Sequence, residues 1–283
     1  MSKRFEGHLK GSDQNELFYQ TWKPDNDAVR GVFVITHGLA EHSECYHPLA
    51  KRLSEDGWQV FAWDLRGHGR SEGKRGFVID IAKYIEDYGL LINIIRKATK
   101  VKPENLVLFG HSMGGLITLR FTQINQPDIA ALTLSSPALG LSMPVPKVKE
   151  MLANIAIKWM PTLTMFNEIK YTDLTHDEEM IKSYQVDNLR HDKISPGIFL
   201  SMMENFKLAV EDANKITQPV LIQVSGEDRL VSTPASREFF DKLPNKKNHL
   251  ELYSESYHEI YNDFEKDRAV ADLKKFISPF LGA

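Results

Sequence analysis

The sequence predicts an α/β fold: a mostly parallel central sheet with helices on both faces and a helical insertion late in the chain. Four strand-like runs precede residue 137, segments of helical period separate most of them, and the alternation resumes near residue 220 after a stretch without such runs.

Taken in order, residues 4–10 and 17–22 read as two short strands, joined by a loop whose Gly11, Ser12, Asp13 and Asn15 favour turns. They form an antiparallel edge. From Gly31 the pattern changes, because Val32-Phe33-Val34-Ile35 is unbroken by polar residues, as expected of a strand buried on both faces. Strands of the same kind follow at 58–63, 106–109 and 131–134, with helical patterns at 43–56, 80–97 and 113–126. The second part brings a strand at 220–224, a helix at 234–243, a strand at 250–253 and a closing helix at 264–280. The division is therefore a core over 1–138, a cap over 139–214 and the rest of the core over 215–283. In open α/β sheets ligands bind beyond the carboxyl ends of the strands, so an apolar cap crossing that edge walls a pocket for an apolar ligand. Leu141, Met143, Val145, Met151, Ile155 and Ile157 are its candidate entrance or internal core.

Composition narrows the function. A net charge of −3 over 283 residues leaves no basic field for a nucleic-acid partner. Cys45 is the single cysteine, which excludes an internal disulfide and a thiolate metal cluster and fits a reducing compartment. With no apolar run of membrane-spanning length and no apolar stretch near the N-terminus, the expectation is a soluble, cytoplasmic chain. Nothing in the sequence fixes an oligomeric state.

Gly110-His111-Ser112-Met113-Gly114 fits G-x-S-x-G, a tight turn between strand and helix that exposes a serine hydroxyl. It directly follows one predicted strand and opens one predicted helix, the setting that chemistry requires. A serine needs a base, and the base needs a carboxylate to hold its tautomer. Asp228 and His258 each lie just past a predicted strand; Glu227 is the rival acid, and His249 falls at the wrong end of the last strand. The transition state of ester cleavage carries an oxyanion, for which the backbone N–H groups of Leu39 and Met113 are the candidate donors. A metal reading of His37, Glu41, His42, His47 and His68 lacks an H-E-x-x-H run or a cysteine pair, so these read as loop-bracing groups, with no metal and no cofactor expected.

Four segments together resemble the monoglyceride lipase and lysophospholipase-like branch of the α/β-hydrolase serine hydrolases: His37-Gly38-Leu39-Ala40-Glu41-His42-Ser43, Asp64-Leu65-Arg66-Gly67-His68-Gly69-Arg70-Ser71-Glu72-Gly73, Gly110 to Gly115, and Gly226-Glu227-Asp228-Arg229-Leu230-Val231 with Tyr257-His258. The spacing agrees too, with 116 residues from Ser112 to Asp228 and 30 from Asp228 to His258. The resemblance implies a cap over an acyl tunnel, hydrolysis of single-chain lipid esters through an acyl-enzyme, transient membrane contact through the cap, and substrate-binding roles for Glu41 and Tyr184. Cys45 and Tyr261 depart from the animal monoglyceride enzymes, which carry arginine and histidine at the matching places. Lysophospholipids and short soluble esters therefore stay open as substrates, as do an amide or carbon–carbon bond as the one cleaved. So does a non-catalytic protein that binds an apolar ligand.

Overall fold

The computed structural model describes residues 3–25 and 28–282. Its strands are β1 (Lys3–Lys10), β2 (Glu16–Lys23), β3 (Gly31–Thr36), β4 (Trp58–Trp63), β5 (Leu106–His111), β6 (Ala131–Ser135), β7 (Met165–Phe166), β8 (Lys193–Ile194), β9 (Val220–Ser225) and β10 (His249–Tyr253). Eight of them form one sheet in the order β1-β2-β4-β3-β5-β6-β9-β10. From β4 to β10 every pairing is parallel, and β1 and β2 close one edge in antiparallel register.

The helices are α1 (His47–Glu55), α2 (Ala82–Thr99), α3 (Ser112–Asn125), α4 (Lys147–Trp159), α5 (Glu178–Val186), α6 (Pro196–Glu211), α7 (Thr233–Asp241) and α8 (Lys266–Ile277). Because side chains alternate across a strand, each apolar run supplies two cores at once. Val32, Val34, Leu106 and Leu108 pack with residues of α2, α3 and α6 on one face. Phe33, Ile35, Val107 and Phe109 pack with α1 and α8 on the other. Burial on both sides makes these strands rigid, and their carboxyl ends become a fixed platform.

Two features of the segment between β6 and β9 were not expected from its sequence. Met165–Phe166 pairs antiparallel with Lys193–Ile194 across α5, a ladder too short to show a two-residue period. The last helix of the segment, α6, also places Ile198, Phe206, Ala209 and Val210 in the main core. Ser195 starts it: the Ser195 hydroxyl accepts from the Ile198 N–H and donates to the Val78 carbonyl, an N-cap that also fastens the segment to the loop before α2. The apolar residues of α4 do not form an internal core, for only Ala153 of that helix is buried. His249 is the first residue of β10 and lies at its amino end.

Candidate active site

The turn at Ser112 is forced by close approach. Ser112 has φ +52°, an unfavourable conformation for a residue with a Cβ. A Cβ on Gly114 would lie 2.2 Å from the His37 carbonyl oxygen and 2.3 Å from that of Thr36; one on Gly110 would lie 2.4 Å from the Gly114 oxygen. Only glycine lets β3, β5 and α3 meet this tightly, and that compression holds the serine at the strained angle. Ser112 is the first residue of α3, so the positive end of the helix dipole sits beneath its hydroxyl.

His258 arrives from the loop after β10. Its carbonyl accepts from the Ser136 hydroxyl at 2.9 Å, and the next N–H, of Glu259, donates to the Leu174 carbonyl at 2.8 Å. The His258 Nδ1–H donates to Asp228 Oδ2 at 2.8 Å, while Asp228 Oδ1 accepts from the N–H groups of Leu230 and Val231, both at 2.9 Å. Burial works to raise the Asp228 pKa, but His258 and these N–H groups outweigh it and hold it below the usual carboxylate range. Burial likewise works to lower His258, yet the Asp228 charge and hydrogen bond, helped by Glu259 and Glu41, raise it. The pair is an imidazole whose proton affinity is raised, oriented by a carboxylate that stays ionised.

Ser112 and His258 line one cavity of about 280 Å³, together with Gly38, Leu39, Glu41, Tyr171, Leu174, Arg190 and Glu259 among others. A Cβ on Gly38 would lie 3.1 Å from that of Ser112, so the backbone leading to Leu39 passes close to the serine. Met113 is fully buried behind it. Glu41 Oε1 accepts from the Gly38 N–H and the Tyr46 hydroxyl, which fixes the loop that carries Leu39. Burial and the nearby Glu259 push the Glu41 pKa up to about 7, against Arg190 and these two donors.

The Asp64 to Gly73 motif frames this site without entering the cavity. Asp64 accepts from the N–H groups of Ser43 and Arg70, Arg66 makes a buried two-point pair with Asp87, and the Leu65 N–H donates to His37 Nε2. His37 in turn donates from Nδ1 to the Gly38 carbonyl at 2.7 Å. Its neutral state suits that role, for burial lowers its pKa to about 4. His47 accepts from the Trp22 indole and His68 donates to the Arg66 carbonyl, so these histidines brace loops.

Two residues without any sequence signal belong to the cavity. Arg190 comes from the chain between α5 and β8; its guanidinium stacks 3.7 Å over the Tyr184 ring and lies 3.5 Å from Glu259 and 3.9 Å from Glu41. Glu259 accepts from the Tyr184 hydroxyl and from Asn262. Burial works to raise Glu259, and Arg190, His111 and these donors outweigh it. Tyr184 thus stands behind Arg190 and Glu259 instead of lining the cavity. Among the described residues, His42, Cys45 and Asp187 bring three donor atoms within 4.8 Å of one another. Those atoms already have partners: His42 Nε2 donates to Asp187 Oδ2 at 2.7 Å, Arg190 donates to the Cys45 sulfur at 3.4 Å, and burial pushes the thiol pKa far up.

The family described as serine aminopeptidase, S33 matches residues 27–265. The chain is 31% identical over 277 residues to a monoacylglycerol lipase of Mycolicibacterium smegmatis, covering 98% of each chain. It is 26% identical to a phospholipase of Bacillus subtilis, covering 92% of this chain and 99% of that one. Its fold is similar to the crystal structure of a monoacylglycerol lipase from Paleococcus ferrophilus, with a TM-score of 0.82 at 29% identity over 99% of both chains.

Proposed function

Since the chain belongs to the serine aminopeptidase, S33 family and is a serine hydrolase of the monoacylglycerol lipase-like type with the α/β-hydrolase fold, we propose that Ser112, His258 and Asp228 are its catalytic triad and a lipid ester its substrate. Ser112 Oγ attacks the ester carbonyl carbon while His258 Nε2 takes its proton, and Asp228 steadies the imidazolium. The negative charge that builds on the carbonyl oxygen is met by the N–H groups of Leu39 and Met113 and by the amino end of α3. Collapse of this intermediate breaks the ester C–O bond, and the alcohol leaves with the proton from His258. Water then repeats the sequence on the acyl-enzyme and releases a fatty acid. The observation that carries the reading is the placement of Ser112 and His258 on one cavity with the 2.8 Å His258–Asp228 bond behind them.

The segment from 139 to about 195 is the cap in this reading, with α6 part of the core layer. Its outer face exposes Met143, Val148, Met151, Leu152, Ile155, Trp159 and Phe166, an apolar area suited to resting on a lipid surface from which substrate enters. Among the described residues no helix is long and apolar enough to cross a membrane, so the contact is peripheral. A half-buried free cysteine fits a cytoplasmic location.

The test is fatty-acid release from monoacylglycerol, lysophosphatidylcholine and p-nitrophenyl esters, beside an arylamide panel. Ester turnover should dominate, and Ser112→Ala should lower kcat about 10³-fold or more with an unchanged Tm. A folded protein that neither hydrolyses any ester nor reacts with a fluorophosphonate probe would defeat the reading in favour of an apolar-ligand carrier. Faster amide turnover would move the bond cleaved.

A further inference from the structure

Arg190 is buried, yet its hydrogen-bonding capacity is largely unused. Among the described residues its Nε has no partner, its Nη2 donates only to the Cys45 sulfur, and its distances to Glu259 and Glu41 exceed those of hydrogen bonds. Stacking on Tyr184 and the two carboxylates hold the guanidinium in place without saturating it. It lines the same cavity as Ser112 and His258, and it is the only lysine or arginine among the described residues there, with the carboxyl groups of Glu259 and Glu41 nearby. An orphaned planar donor beside ionisable acceptors, in a wall with more acids than cations, matches a neutral, hydroxyl-rich group. It does not match a phosphate, which would face the two carboxyl groups of Glu259 and Glu41 for one guanidinium.

We propose that Arg190 is a specificity-determining residue, supplied by the insertion, that binds hydroxyl or ether oxygens of the departing alcohol, and that the acidic wall around it turns away phosphate-bearing head groups. This rests on the serine-esterase reading above. A buried hydrogen-bonding site discriminates strongly against a ligand that leaves it unpaired, so the effect belongs to substrates that carry a polar alcohol.

The experiment compares kcat and KM of the full chain on three esters of one acyl group: a 1-monoacylglycerol, a lysophosphatidate and a p-nitrophenyl ester. Wild type should prefer the glycerol ester to the lysophosphatidate by about 100-fold in kcat/KM. Arg190→Met should lower kcat/KM for the glycerol ester about tenfold more than for the p-nitrophenyl ester, with Arg190→Lys partly recovering it. Glu259→Gln should narrow the gap against lysophosphatidate. Equal losses on the glycerol and p-nitrophenyl esters would make Arg190 a structural strut and overturn the proposal, as would wild-type turnover of lysophosphatidate at the glycerol-ester rate. If Arg190→Met does not fold, Arg190→Lys decides alone: a smaller split of the same sign supports the proposal and no split overturns it. Failure of the esterase reading looks different, because wild type would then release no p-nitrophenol.

Discussion

Helices α3 and α4 are nearly equal in length and both rich in apolar residues, but they meet opposite surroundings. In α3 the eleven residues from Met113 to Gln123 are all buried, between the sheet and the flanking helices. In α4 only Ala153 is, and Trp159 at its end is 82% exposed. The apolar content of α3 fixes the Ser112 turn against β3 and β5, whereas that of α4 is left facing outward. Similar composition is thus buried in one place and exposed in the other, and the difference lies in which layer each helix joins.

The sharpest way to break this comparison is at the rigid end. Asp228→Asn keeps the shape of the side chain but turns a required acceptor into a partial donor, which favours the wrong His258 tautomer. It should lower kcat by about 10⁴-fold at unchanged Tm. A fall below tenfold would mean that another carboxylate, Glu227 being the sequence rival, holds the base. Gly114→Ala should come next, since its Cβ meets backbone carbonyls of β3 and the following loop that cannot swing aside. A stability loss of about 3 kcal/mol is expected, with activity falling alongside. Ile155→Ser on the exposed face of α4 should change stability by less than about 0.5 kcal/mol. Denaturant titration of the two variants measures the contrast directly, and equal losses would erase it.

The proton affinity of His258 gives a gentler test. The proposed mechanism needs the neutral imidazole, and Asp228, Glu259 and Glu41 together raise its pKa above the ordinary 6.5 despite burial. As pH falls through that raised value the base is lost, so log kcat/KM for a soluble p-nitrophenyl ester should drop with unit slope below a midpoint above pH 6.5. Glu259→Gln removes one raising charge and should move the midpoint down. A wild-type midpoint below 6.5 would contradict the electrostatics of the site.

The same contrast decides what could be read from sequence. The Ser112 turn was legible because steric necessity leaves a mark: glycine must stand where backbones nearly touch. Asp228 and His258 were legible from their places after strands, since chain order and sheet order are linked in this fold, and the structure joins them by a hydrogen bond. Arg190 and Glu259 left no mark, for a charged residue between α5 and β8 or beside a histidine resembles any solvated loop residue until the fold buries it. The resemblance pointed to Tyr184, one layer behind them. For α4 the helical pattern was readable but its orientation was not, because a period of 3.6 says that one face is apolar and nothing of what that face touches.

A milder effect than those on the triad and on Gly114 is expected where apolar side chains are most exposed. Trp159 and Phe166 are 82% and 69% exposed, close in sequence, and project from α4 and β7 of the same segment. On the proposed membrane contact each would bury enough surface in a lipid interface to matter, but two side chains would give only shallow, reversible attachment. The double variant Trp159→Glu, Phe166→Glu should weaken binding to phosphatidylcholine vesicles about tenfold. It should raise KM for a vesicle-borne monoacylglycerol by a similar factor and leave kcat/KM for a soluble p-nitrophenyl ester within twofold. If vesicle binding and interfacial KM both stay at wild-type values, the exposed face of α4 is not a lipid contact, and its apolar residues then need a protein partner or a closed form of the cap to account for them.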